Sequence, residues 1–397
     1  MKTCDIIGMS DSRKPWFPPE VMEVVKQASV FSGGKRHHEL VAKLLPPNAL
    51  WIDITVPLAN VFRQYEHYDH IVIFASGDPL FYGFANTVQR ECNKVKMRVF
   101  PSPNSLQLLA HRMCVAYHDM HVVSLTGREW NKLDEALIRG ETMIGCLTDR
   151  TKTPHAIHQR MVRYGYTNYL MTVGEHLGNE EQERVSSYDE QATYGHPNCV
   201  ILQKTSDRYK PFGIPDNLFD LLDGREKMIT KMPIRLLTLQ ALDLPGKHVL
   251  WDIGFCTGSV SIEARLQFPH LQVEAFEIRP ECEAIIQENT RRHGAPGIGI
   301  HIGDFLKYDC STPDTPRPDA VFIGGHGGRL QEIMAKVLTV LNPGGCIVMN
   351  SVQAPRVPTD SHLLWDKACQ ELGLHQEPPQ YVQLNDNHPI TILKCKR

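Results

Sequence analysis

Short, nearly continuous apolar runs recur along the chain, separated by longer stretches in which apolar positions return every three or four residues. Before residue 205 the runs occupy 5–7, 50–54, 71–75, 95–100, 121–125, 142–147, 169–173 and 199–202. After it they occupy 249–252, 273–277, 298–302, 319–323 and 346–350. A strand apolar on both faces is covered on both faces, so the runs predict α/β structure throughout, with strands packed between helices. The later runs predict a Rossmann-like, doubly wound parallel sheet, whose ligand crevice lies at the carboxyl ends of the strands. The earlier ones fit two α/β layers divided near residue 118 better than one sheet. Between the halves, 204–215 is polar, contains Pro211 and Pro215 and has neither period, as a linker would. Domains are therefore expected at 1–205 and 223–397 with a linker at 206–222, and 397 residues exceed what one core commonly holds.

The strand endings of the second half carry chemistry. The run ending in Asp252 opens into Gly254-Phe-Cys-Thr-Gly258, a small-residue loop whose amides can approach a nucleoside at the start of a helix. A pyrophosphate would not be met by a carboxylate at the mouth of its loop. Asp252, with Cys256 in place of the middle glycine of D-x-G-x-G-x-G, therefore favours S-adenosylmethionine (SAM) over a nicotinamide dinucleotide. The next run ends in Glu277, where a carboxylate can accept both ribose hydroxyls. The third ends in Gly303-Asp304, placing an acid where an adenine amino group could be read. The fourth opens into Gly324-Gly-His-Gly-Gly328, a loop with almost no side chains, suited at Gly324 and Gly325 to a broad flat substrate. Each ending alone is common; their order carries the reading. The SAM contacts expected in this half are Thr230, Asp252, Gly254, Thr257, Gly258, Glu277 and Asp304.

Composition narrows the alternatives. Eleven cysteines contain no C-x-x-C pair, so free thiols in a reducing compartment are expected. With no signal peptide and no apolar stretch near the roughly 18 residues a membrane span requires, the expected location is the cytoplasm, away from membranes. A net charge of −3 gives no general field for nucleic acid. Any anionic substrate must meet local cations, and such a cluster lies at 224–235, with Arg225, Lys227, Lys231 and Arg235 against Glu226. The pairs His37-His38, His118 with His121, and His155 with His158 lack a third ligand nearby, so no metal site is expected. His326, inside the glycine loop, could give or take a proton.

In the first half, Ala75-Ser-Gly-Asp-Pro-Leu-Phe-Tyr-Gly83 ends a buried strand. Gly77 permits a tight turn, Asp78 can cap the succeeding segment, and Pro79 is expected to start the next helix. The junction 100–106 ends another strand in small hydroxyl and amide groups, able to hydrogen-bond a cofactor without crowding it. The strings S-G-D-P-L-F-Y-G at 76–83, P-S-x-x-S-L-Q at 101–107, S-L-x-G-R at 124–128 and the segment 174–185 resemble the tetrapyrrole methylase family. The second half resembles the partner methyltransferase of the same pathway, through G-R-E-x-M-I-T-K at 224–231, W-D-I-G-x-x-x-G-S-V-S-I-E at 251–263 and V-F-I-G-G at 321–325. Together, over nearly the whole chain, they resemble the fused decarboxylating precorrin-6B C(5,15)-methyltransferase family of cobalamin biosynthesis.

That resemblance implies one SAM per domain and a tetrapyrrole substrate, precorrin-6B or its cobalt form. Methyl groups would pass to ring carbons 5 and 15, and the carbon-12 acetate would leave as carbon dioxide, giving precorrin-8. The first domain would serve carbon 5, and the second carbon 15 and the decarboxylation. It implies cofactor contacts at Gly8, Ser76, Gly77, Asp78, Asn104, Ser105 and Leu147, and a homo-oligomer. Arg225, Lys231 and Arg235 are expected to hold ring carboxylates beside Gly324 and Gly325, and His326 to assist decarboxylation. One departure stands out: of the family's G-x-G-P-G loop only Gly8 remains, so Met9 to Ser12 should reshape the first cavity. A chain in which only the second half is active stays open, as do a nucleic-acid methyltransferase, a nicotinamide oxidoreductase and a noncatalytic tetrapyrrole carrier.

Overall fold

A computed structural model describes every residue except 93, 226–227, 313–314, 353–360, 385–388 and 397. The chain forms two compact units. One comprises Met1–Glu129, Glu141–His158 and Asn168–Ser206; the other comprises Trp130–Gly140, Gln159–Thr167 and Asp207–Arg397.

The first unit contains two five-stranded sheets. The first is built from β1 (Thr3–Met9), β2 (Val30–Gly33), β3 (Leu50–Asp53), β4 (His70–Ser76) and β5 (Lys96–Phe100) in the order β3-β2-β4-β1-β5, and all its pairs are parallel. Ile71 to Ala75 are buried without a break, the continuous apolar strand that helices on both faces require. β2 escaped the pattern because Ser32 interrupts it. That hydroxyl is fully buried and bonded to Ile52 O at 2.7 Å and Tyr65 Oη at 2.6 Å. The second sheet, from β6 (His121–Ser124), β7 (Met143–Leu147), β8 (Tyr169–Glu175), β9 (Arg184–Ser187) and β10 (Asn198–Lys204), runs β6-β7-β10-β8-β9. Only β6 and β7 are parallel there; the other pairs are antiparallel.

Among the described residues the second unit holds one sheet. β11 (Val249–Ile253), β12 (Gln272–Glu277), β13 (Ile298–Ile302), β14 (Ala320–Ile323) and β15 (Cys346–Val352) are the five strands read from sequence, and they form its parallel part in the order β13-β12-β11-β14-β15. Three further strands, β16 (His375–Gln376), β17 (Gln380–Val382) and β18 (Ile390–Lys396), extend it, with β18 antiparallel to β15. They are short or end in charged residues, so no clean apolar run announces them. The two-residue alternation of β11 decides what each side chain meets. Val249, Trp251 and Ile253 enter a core with Phe276, Trp365 and the helix Leu330–Val340. Leu250 faces the other way, toward the helices Met232–Leu242 and Ser259–Gln267, and Asp252 shares that face. Among the described residues no helix is long and apolar enough to cross a membrane.

In the first unit, Gly8 on β1 sits opposite Ala75 on β4. A Cβ there would lie 2.1 Å from Gly77 O and 2.8 Å from Ser102 N, both backbone atoms that cannot swing aside. Gly8→Ala is therefore expected to lower the unfolding free energy by about 3 kcal/mol through overpacking, read as a reduced urea midpoint. An unchanged midpoint would refute this packing role.

Candidate functional site

In the second unit the carboxyl ends of β11 to β14 open into one cavity of about 820 Å³. Asp252 lies in its wall and is almost fully buried. Its Oδ2 accepts hydrogen bonds from Ser261 N at 3.2 Å and Ser261 Oγ at 2.6 Å. Its Oδ1 is buried with no partner among the described residues, so a donor is missing from the protein alone. Burial raises the carboxyl pKa to about 7, against the opposing pull of Ser261.

Gly254 has φ +80°, and a Cβ on it would lie 2.6 Å from Gly325 N. The loops after β11 and β14 thus meet backbone to backbone, which only glycine permits. Cys256 keeps the left-handed conformation of the glycine it replaces, at φ +50°, a strain of about 1–2 kcal/mol. Its amide donates to Glu277 Oε2 at 3.0 Å. Glu277 also accepts from the amides of Ile278 and Arg279, and the Arg279 guanidinium clamps both its oxygens at 2.9 and 2.7 Å. Despite burial, these bonds hold Glu277 below the usual carboxylate range. Asp304 caps a short turn through Leu306 N at 3.0 Å and pairs with Arg329 at 3.3 Å. Thr230, Thr257, Gly324 and Gly325 line the same cavity. So does His326, whose Nδ1 accepts from Gly328 N at 3.1 Å while Nε2 lies 3.5 Å from Ser361 Oγ. Burial lowers its pKa, so the ring is neutral near pH 7 with its hydrogen on Nε2.

Three expectations for this half need correction. Gly258 does not line the cavity; it begins the helix Ser259–Gln267 at φ +74°, where a Cβ would strike Ile286 at 2.4 Å. Arg235 is fully buried and cannot reach substrate. Its guanidinium bonds Glu263 and Asp216 at 3.2 Å each, Thr230 O at 2.8 Å and Ile214 O, and lies over the Phe219 ring. Arg225 is exposed, pairs with Asp223 at 3.3 Å and stands outside the lining. Glu226 and Lys227 fall outside the described residues. Among the described residues the cations that do line the cavity are Lys231, Arg279 and Arg329. The last two went unnoticed in sequence because each stands alone just beyond a strand ending, not in a basic run.

The first unit has its own cavity of about 470 Å³, into which Ser76, Gly77, Asn104, Ser105 and Leu147 all face. Gly77 turns at φ +61°, and Asn104 caps the helix Ser105–Met113 reciprocally with Gln107. Gly8 and Asp78 are corrections, since neither lines the cavity. Gly8 lies beneath the loops, and Asp78 Oδ1 holds Leu80 N at 2.9 Å in a turn. The helix expected at Pro79 starts at Phe84, after Tyr82 takes a left-handed conformation at φ +54°. The divergent loop forms part of the wall through Met9, Ser10 and Asp11, joined by Arg36 and His37. His38 stacks on Trp51 at 4.1 Å, and His155 bonds Tyr188 Oη and Ala192 O. Among the described residues no three His, Cys, Asp or Glu side chains gather as a metal site would need.

The parallel sheet, the acid-and-glycine turn and acids closing the next two strands define the second unit as a methyltransferase of the SAM-dependent class. Residues 222–367 match the family model of the precorrin methyltransferase domain. Over 87% of this chain and 84% of its relative, the sequence is 32% identical to the precorrin-6Y C(5,15)-methyltransferase [decarboxylating] of a Sinorhizobium species. A cobalt-precorrin-6B C(15)-methyltransferase (decarboxylating) of Salmonella typhi is 34% identical over 46% of this chain and 95% of its own length. A Geobacter metallireducens crystal structure of precorrin-6Y C5,15-methyltransferase covers 48% of this chain and 100% of its own, at 30% identity and TM-score 0.41. The chain belongs to the family of decarboxylating precorrin-6Y C(5,15)-methyltransferases.

This geometry has two measurable consequences. Because Asp252 becomes a carboxylate as pH rises through about 7, SAM affinity measured by calorimetry should rise from pH 6 to pH 8, by up to about tenfold per unit below the pKa. Asp252→Asn should bind weakly and without that slope. Arg235→Ala should cost about 3–5 kcal/mol of stability by stranding buried Glu263, whereas Lys231→Ala should leave the unfolding midpoint nearly unchanged.

Proposed function

We propose that the chain methylates ring carbons 5 and 15 of precorrin-6B, or its cobalt form, and removes the carbon-12 acetate as carbon dioxide, giving precorrin-8 in cobalamin biosynthesis. The observation that carries this reading is the second unit's cavity, whose wall holds the nucleoside-type acids Asp252, Glu277 and Asp304 together with Gly324 to Gly327 of the glycine loop. The first unit, with its separate cavity, takes carbon 5; the second takes carbon 15 and the decarboxylation. Each binds one SAM. The eleven free thiols fit a reducing cytoplasm, and the family resemblance supports a homo-oligomer.

SAM supplies a methyl group already activated on a sulfonium, so the protein's task is alignment and exclusion of water. Asp252 holds the amino acid end, Glu277 the ribose and Asp304 the adenine. Lys231, Arg279 and Arg329 face the carboxylates of the ring, and Gly324 and Gly325 let its edge slide past. Methylating a C–H carbon sets one proton free. Releasing carbon dioxide from an acetate leaves a CH2 carbon that needs one proton to become methyl. The two steps of the second unit therefore balance without net proton exchange if one group accepts the first proton and returns it. His326, neutral and in the cavity wall, is the group proposed for that role; its one acceptor nitrogen, Nδ1, is held by Gly328 N, so taking the proton requires that amide bond to break.

The test is mass spectrometry of the full chain with SAM and either form of precorrin-6B; two added methyls with loss of one carbon dioxide are expected, and no methyl gain refutes the reading. His326→Ala should leave SAM binding intact while slowing carbon dioxide release by about 100-fold. Release at the parental rate would exclude His326.

A further inference from the structure

The first unit's cavity contains a polar network that methyl transfer as described leaves unused. His37 Nδ1 accepts a hydrogen bond from Gly34 N at 3.2 Å, which fixes the ring hydrogen on Nε2. Burial, with the neighbouring Arg36 charge, lowers the His37 pKa to about 4, so the ring is neutral. Nε2 then donates to Ser76 Oγ at 2.9 Å. Arg36 Nη2 donates to the same oxygen at 3.0 Å. A hydroxyl oxygen that accepts twice has both lone pairs engaged, so its own hydrogen must point to a further acceptor. Behind the guanidinium, Asp11 Oδ1 lies 3.4 Å from Arg36 Nε and has no hydrogen-bond partner among the described residues. Asp11 is itself buried.

Ser76 and Arg36 both line the cavity, and Arg36 is the one Lys or Arg among its described lining residues. Around them the wall is largely apolar, with Phe74, Phe81, Phe84, Leu108 and Leu177. Ser76 and the Arg36 guanidinium remain open to solvent within this wall, and a fixed O–H donor beside a guanidinium at an accessible face of the cavity matches an anion with two acceptor oxygens. We propose that Arg36 and Ser76, oriented by Asp11 and His37, form a carboxylate-binding site in the first unit. The carboxylate is either a peripheral acid of the tetrapyrrole or that of SAM. This rests on the reading that the first unit methylates carbon 5.

The experiment uses the full chain with Arg36→Met, Arg36→Lys and Ser76→Ala, following carbon-5 and carbon-15 methylation separately by mass spectrometry. Calorimetry with S-adenosylhomocysteine measures each site on the chain. Arg36→Met and Ser76→Ala should raise the carbon-5 KM for tetrapyrrole about tenfold, the loss of one good charge-assisted bond, if the carboxylate belongs to the ring. If it belongs to SAM, the affinity of one of the two S-adenosylhomocysteine sites should fall by that factor instead. Either result supports the site, with Arg36→Lys between the extremes and carbon-15 methylation unchanged. For the positioning role, His37→Gln, whose amide can still donate to Ser76, should keep what His37→Ala loses. Values within about twofold of wild type for both Arg36→Met and Ser76→Ala would overturn the proposal. Should Arg36→Met fail to fold, Ser76→Ala decides alone. A wild-type chain that adds only one methyl would instead defeat the reading beneath it.

Discussion

The constraint on which both cavities depend is the approach of two backbone loops where no Cβ can fit. In the second unit Gly254, after β11, touches Gly325, after the neighbouring parallel strand β14. In the first, Gly8 near the end of β1 touches Gly77, after its parallel neighbour β4. Parallel neighbours deliver their loops to the same end of the sheet, and small residues let those loops close into a floor. A side chain at either contact would push the loops apart and alter every distance from the floor to the ligand. Two different folds in one chain thus use the same local device.

The acids above the second floor are already engaged in the protein alone. Glu277 is clamped by Arg279 and Asp304 by Arg329, while Asp252 retains a buried oxygen with no partner among the described residues. Burial and hydrogen bonding therefore drive neighbouring carboxyls in opposite directions: Asp252 upward, Glu277 downward. On the function proposed above, a nucleoside at Glu277 would share or replace the arginine, and an arginine so released would already stand in the cavity wall.

The parallel core was legible because buried parallel strands read as apolar runs, and the order of their endings located Asp252, Glu277, Asp304 and the loop 324–328 from sequence alone. What sequence could not show was direction and burial. Arg225, Lys231 and Arg235 share one basic run, yet one is exposed, one lines the cavity and one is sealed in the core. Arg279 and Arg329 drew no attention because a lone cation after a strand has no pattern. The histidine pair at 37 and 38 offers in sequence only a metal site without a third ligand, but one ring orients a serine in the cavity and the other stacks on Trp51. β2 and β18 were missed where a buried hydroxyl or scattered lysines broke the apolar signal.

Arg235 also ties down the stretch that leads into the second unit's long segment, Asp207–Arg397. One guanidinium gathers Ile214 O, Asp216, Thr230 O and Glu263, and the buried side chains of Ile214 and Phe219 lie in the same stretch. The polar, proline-bearing stretch that reads as a tether is thus bolted to the nucleoside fold from Ile214 onward. A dissection of the gene that started the second half at residue 223 would delete half of the acceptors around an enclosed cation. A cut nearer residue 207 keeps those acceptors, yet it still removes Trp130–Gly140 and Gln159–Thr167, which belong to the same compact unit, and with them the bond from Tyr166 Oη to Gly294 O.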